Sequence, residues 1–173
     1  MRNVQHRVIK APADAFGVIF DRFASPDDLL WPSSAWFPVI LDSGLAPGSQ
    51  GGHGPIRYHV SSYQPGRRVR FEFEPDLGLN GYHELAVTEE GPDRCRLTHT
   101  ISAGLSGRMV LLWPLVIRWL HEALLQDLLD NAEIAVTGRL ARPRARWSWW
   151  VRLLRSVKGL PRSSPPRATR LTA

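Results

Sequence analysis

The chain has 173 residues, 43% hydrophobic and 9% aromatic, which suits one globular domain with a sizeable core and is too short for two ordinary ones. Its single cysteine, Cys95, excludes an internal disulfide and a multi-cysteine metal site and fits a reducing compartment. The formal charge of +6 is unevenly placed: residues 1–138 hold 12 Lys and Arg against 16 Asp and Glu, a net −4, whereas residues 139–173 hold ten basic groups and no acid, so the folded part offers no evident phosphate-binding surface.

VQHRVIK, residues 4–10, alternates as a first strand and stops at Ala11-Pro12. PADAFGVIFDRF then spaces Phe16, Ile19, Phe20 and Phe23 at helical intervals, and SPDDLLW predicts a second short helix with Ser25 as N-cap. The glycine-rich stretch SGLAPGSQGGHGP, residues 43–55, reads as loop. Because it precedes a strand and not a helix N-terminus, it fits a lid at a cavity mouth better than a phosphate cradle, with His53 in solvent. PIRYHVSSY and RVRFEFE are strands; the second puts Val69, Phe71 and Phe73 on one face and Arg68, Arg70, Glu72 and Glu74 on the other. In GYHELAVTEEGPDRCRLTHTI, residues 81–101, two strands flank a polar turn. His83 keeps step with Leu85 and Val87, and His99 with Leu97 and Ile101, so both imidazoles turn toward the apolar face.

After Ser106-Gly107 the period becomes helical. Ile117, Leu120, His121, Leu124, Leu128, Asn131 and Ala135 share one stripe, and Arg118, Glu122, Gln126, Asp130 and Glu133 fall outside it. The helix is expected to be entered or kinked at Pro114 and to end at Gly138. The apolar run from Met109 to Ile117 meets Arg118, His121 and Glu122 well short of a bilayer-spanning length, and MRNVQHRVIKAPADAF has no signal-like apolar run. The expected location is the cytoplasm, with possible peripheral contact at a membrane.

Strand, helix pair, antiparallel strands and a long last helix is the order of the α+β helix-grip fold, a curved sheet wrapped around a C-terminal helix. Through VQHRVIKAPADAFGVIFD, PGSQGGHGPIRYHVSSYQPGRRVRFEFEP and HEALLQDLLDNAE the chain resembles the polyketide cyclase/dehydrase and lipid-transport branch of the START-like (SRPBCC, Bet v 1-like) superfamily, over residues 1–138. The resemblance implies seven strands and an apolar cavity between sheet and helix. Phe16-Gly17 departs from it, since many members carry Trp after the bulky residue; the glycine weakens the helix by about 1 kcal/mol and is expected to leave space at one end of the pocket.

Alternation assigns Tyr58, Phe71, Phe73, His83, Leu85, Leu97 and His99 to the sheet face toward such a cavity, and the helix stripe adds Ile117, His121 and Leu124. For Tyr58, an inward pair Arg57 and His59 is the alternative. A mostly apolar space with a few polar groups suits a hydrophobic small molecule of lipid, polyketide or isoprenoid type, carried or sensed. The same histidines, His83, His99 and His121, are the candidates for acid-base chemistry if the chain is a cyclase or dehydratase. A lone histidine on an apolar face is more often an ordinary core residue, so a filled core with a partner-binding tail is the third reading. Neither a metal site nor a cofactor is expected, because no HxH or HExxH spacing occurs. In the tail, residues 139–173, Trp147, Trp150, Val151 and Leu154 recur at helical spacing with Arg152 and Arg155 on part of an opposing face. With Trp149 these make a candidate contact for an anionic membrane, and residues 162–173 read as disordered.

Overall fold

A computed structural model describes residues 1–157. Its strands are β1 (Arg2–Ile9), β2 (Val39–Leu41), β3 (Gln50–His53), β4 (Ile56–Gln64), β5 (Arg68–Phe73), β6 (Leu79–Gly91) and β7 (Arg94–Leu105). All pair antiparallel in one seven-stranded sheet of order β1-β7-β6-β5-β4-β3-β2. One helix, α1 (Ala13–Phe20), separates β1 from β2. After β7 the chain runs through α2 (Met109–Leu112), a π-helical turn at Trp113–Ile117 and α3 (Arg118–Thr137), 29 helical residues in all, and a final helix α4 (Trp149–Val157) follows. The expected disorder of residues 162–173 lies outside the described residues.

Period-two patterning sets the sheet. In β5, Val69, Phe71 and Phe73 are buried and Glu72 is exposed, and in β7 burial alternates from Cys95 to Ala103. The hairpin of β6 and β7 pairs His83 with Ile101 and Leu85 with His99, a diagonal offset of the two histidines, with a bulge between Glu89 and Gly91 fixing the register. Gly138 ends α3 in the left-handed conformation, φ 74°, as its position predicts. Pro114 stands in the π-turn, where its missing N–H is absorbed by the wider helical spacing without ending the helix.

Three local expectations give way to tertiary structure. Residues 25–31 form turns in place of a helix, because the Asp28 carboxylate accepts backbone N–H bonds from Ala24, Leu30 and Trp31 at 2.7–3.0 Å and outcompetes helical pairing. The glycine-rich stretch contains strand β3, and the two glycines of that strand are steric requirements: a Cβ on Gly51 would stand 1.9 Å from the Ile40 carbonyl oxygen, and one on Gly52 1.9 Å from that of Ile56. Gly17 leaves no space at the pocket end, since a Cβ there would meet the Gly66 backbone at 3.0 Å, so α1 sits directly on the β4–β5 turn.

The face of α3 that falls outside its apolar stripe is covered as well. Asn3, Gln5 and Arg7 point from β1 toward it, while Val4 and Val8 face solvent. Asn3 donates to Glu122 at 3.0 Å, Gln126 donates to Gln5 at 3.2 Å, and Arg7 bridges Asp130 at 3.0 Å and Glu133 at 2.9 Å. Asp130 is fully buried. This polar seam joins the edge strand to the helix, while the apolar stripe of α3 faces the sheet.

Candidate functional site

Between the inner face of the sheet and the helix lies a cavity of about 370 Å³, within the roughly 300–1,000 Å³ of small-molecule sites. Tyr58, Phe71, Phe73, His83, Leu85 and His99 line it from the sheet, and Ile117, His121 and Leu124 from the helix. Tyr58, not Arg57 or His59, is the inward residue of β4. Leu97 is buried outside this wall, level with Val87 in the hairpin and with Arg7 in β1.

The polar rings form one arc across the cavity wall. Ring centroids run from His53 to Tyr58 at 5.7 Å, Tyr58 to His83 at 4.7 Å, His83 to His99 at 5.6 Å and His99 to His121 at 5.0 Å. Trp31 closes one end, 5.0 Å from His53, and Trp113 the other, 5.8 Å from His121. His83 lies stacked on Phe71 at 4.7 Å and 17°. This packing fixes the ring planes, so the imidazole edges are presented in set directions.

His53 is a fourth imidazole of the arc, contrary to the expectation of a solvent position. Strand β3 swings it inward, where its Nδ1 and the Tyr58 hydroxyl are 3.1 Å apart. It was hidden in sequence because glycines surround it and obscure alternation. Trp31 and Trp36 were also missed; they come from the turn-rich segment whose Asp28 lock no periodicity announces.

Burial holds all four imidazoles neutral. It is the main cause that pushes His53 down to about 3 and His121 to about 4, and it holds His83 and His99 well below the usual imidazole range, with neighbouring histidines adding repulsion. The Tyr58 hydroxyl is raised by burial and stays protonated. His83 Nε2, His99 Nδ1 and His121 Nδ1 are buried without a hydrogen-bond partner among the described residues. Among those residues no group of three or more His, Cys, Asp or Glu is placed to hold a metal ion, and with the imidazoles neutral Arg108 is the one charged side chain lining the cavity.

Neither a protein-family model nor a curated protein matches this sequence. Solved structures do match in shape. Norcoclaurine synthase from Thalictrum flavum, in complex with dopamine and hydroxybenzaldehyde, is 15% identical over 82% of this chain and 90% of its own, with a TM-score of 0.57. CalU16 from Micromonospora echinospora is 16% identical over 91% and 83% of the two chains at 0.56, and a protein from Thermobifida fusca is 14% identical over 82% and 99% at 0.58. The chain has the helix-grip fold.

The tail continues this helix-grip domain. Trp147 and Trp36 both donate their indole N–H to the Asp127 carboxylate, at 3.1 and 2.8 Å. Arg155 is buried, stands 3.9 Å over the Trp147 ring and 4.4 Å over Trp36, and donates to the Ala35 carbonyl at 2.6 Å. It therefore shares the inward face of α4 with Val151 and does not belong to an opposing basic face. Trp150 is half-buried; Trp149 and Arg152 are exposed. Among the described residues no helix is long and apolar enough to cross a membrane.

Proposed function

We propose that the chain binds a small, largely apolar molecule of lipid, polyketide or isoprenoid type, carrying hydroxyl or carbonyl groups, inside the helix-grip cavity, as a carrier or sensor. The observation that carries this reading is the set of three buried imidazole nitrogens without protein partners, among the described residues, on a mostly apolar wall. Buried polar atoms are nearly always hydrogen-bonded, and three together, with His83 held by stacking on Phe71 and Phe73, are a ready acceptor and donor array for a ligand. The apolar wall supplies affinity by burial of area, and the imidazoles supply orientation. That norcoclaurine synthase holds dopamine and hydroxybenzaldehyde in the same fold supports small-molecule binding without naming this ligand.

Binding is favoured over acid-base turnover. General catalysis works best with a group whose pKa lies near the operating pH. An imidazole pushed down to about 4, as at His121, is a weak base at neutral pH and is scarcely ever an acid there.

Native mass spectrometry of protein purified from a lipid-rich host, followed by denaturing extraction, tests the reading. A discrete bound mass that is lost on H83L/H99L is the expected result. A clean apo mass that persists after incubation with lipid and polyketide mixtures would overturn it.

A further inference from the structure

The run from Met109 to Ile117 has apolar side chains on both sides. Met109, Leu112, Trp113 and Val116 line the cavity. On the outer side Val110, Leu111 and Leu115 are 51–67% exposed, and one turn on Trp119 is 43% exposed, its indole N–H bonded to the Pro114 carbonyl. A surface helix normally spends its second face on polar groups, so this one has an unmatched side.

The tail brings a second apolar row to the same place. The Trp150 indole donates to the Leu115 carbonyl at 3.1 Å, which pins the start of α4 beside the π-turn. From there α4 turns Trp149, Leu153 and Val157, spaced four residues apart, outward at 46–76% exposure, while Val151 and Arg155 hold the opposite face down. The charge on this surface is mainly positive. No acid occurs in residues 106–121 or 138–157, and Arg108, Arg118 and Arg152 are exposed around the apolar rows, with Glu122 at the edge paired to Arg118 at 2.9 Å.

The geometry points to an anionic lipid bilayer as the partner of this face. Leu111, Leu115, Trp119, Trp149 and Leu153 enter the boundary between headgroups and acyl chains, and the arginines meet the headgroup phosphates. Indole rings and leucines beside arginines are the side chains that this boundary favours. A second copy of the chain is a poor occupant, because it would bring two net-positive, arginine-bearing faces together. Docking this way sets the cavity rim at Arg108 and Val116 against the bilayer, so a ligand leaving or entering the cavity meets lipid directly. That last consequence rests on the ligand-binding reading above; the docking itself does not.

Co-sedimentation of the full chain with vesicles of phosphatidylcholine alone, and of phosphatidylcholine mixed with phosphatidylglycerol, is the test. Binding is expected to the mixed vesicles only and to fall as salt rises. L111Q/L115Q/W149S is expected to bind about tenfold more weakly or worse, with unchanged far-UV circular dichroism. R118Q/R152Q is expected to lose the preference for phosphatidylglycerol. Wild-type protein that ignores both vesicles, or a triple variant that binds as well as wild type, overturns the proposal. So does self-association in sedimentation velocity that the triple variant abolishes without any vesicle binding. Native mass spectrometry of the triple variant reads the cavity separately, since a retained ligand with lost docking, or the reverse, tells which of the two readings has failed.

Discussion

An imidazole nitrogen buried without a partner costs about 1–3 kcal/mol, and the arc carries three such atoms. Replacing His99 with leucine, an apolar side chain of similar size, removes one of them from a position only 5% exposed. H99L is therefore expected to gain about 1 kcal/mol or more in stability while losing ligand retention. Urea denaturation of the apo protein checks this, and a lower midpoint for H99L would mean that the ring makes a structural bond. The same burial sets a pH dependence. Unfolded histidines take up protons below about pH 6.5, whereas folded His121 does so only near 4, so between these values the unfolded state binds more protons. Stability is thus fully present above about 6.5 and falls as the pH drops toward 4, by up to about 1.4 kcal/mol per pH unit for each such histidine. Chemical denaturation across that window should show the slope, and H99L/H121L should flatten it.

At the scale of elements, the seam between β1 and α3 is a buried ion-pair cluster with Arg7 at its centre. R7M leaves Asp130 facing Arg142 at 3.8 Å and Glu133 bonded to the Ala141 N–H without their close guanidinium, and is expected to cost about 3 kcal/mol, whereas R7M/D130N/E133Q should recover much of the loss, because the buried carboxylate charges are removed. Thermal melts of the two variants separate these outcomes. The seam also marks what the sequence could not disclose. Asn3, Gln5 and Arg7 on a strand, and Glu122, Gln126, Asp130 and Glu133 on a helix, each read as a solvated face; only their contact with each other buries them. Alternation placed β5 and the β6–β7 hairpin well, since their faces differ sharply in polarity. Alternation alone does not distinguish an opposite from a diagonal placing of His83 and His99, and the bulge near Gly91 is the detail that decides it. Of the arc, His83, His99 and His121 were legible from period alone. His53 was not, because Gly51, Gly52 and Gly54 have no side chains to carry a pattern.

On the scale of the whole molecule, composition separates a basic tail from an acidic domain, yet residues 139–157 are tied to that domain at several points. The Ala141 N–H donates to Glu133 at 2.9 Å, Arg142 donates to Gln126 at 2.9 Å, and the ring cluster of Trp36, Trp147 and Arg155 closes over Asp127. Burial raises the Asp127 carboxyl, and the two indole donors counter the shift, so the carboxylate depends on the tail for one of those two donors. Trp36 also lines the cavity, which links the tail to the cavity wall. If residues 1–138 are an independent domain, truncation after Gly138 should leave stability and the wall unchanged. The contacts argue for a different outcome: loss of the buried Val151 and the half-buried Trp147 side chains should cost about 2–5 kcal/mol, with the truncated chain still folded because the sheet and α3 are intact. Hydrogen exchange should then quicken around residues 31–37, where Trp31 and Trp36 face the cavity, and not in the β6–β7 hairpin. Uniform acceleration across the chain would place the tail's contribution in global stability alone, and no change at all would detach it from the cavity.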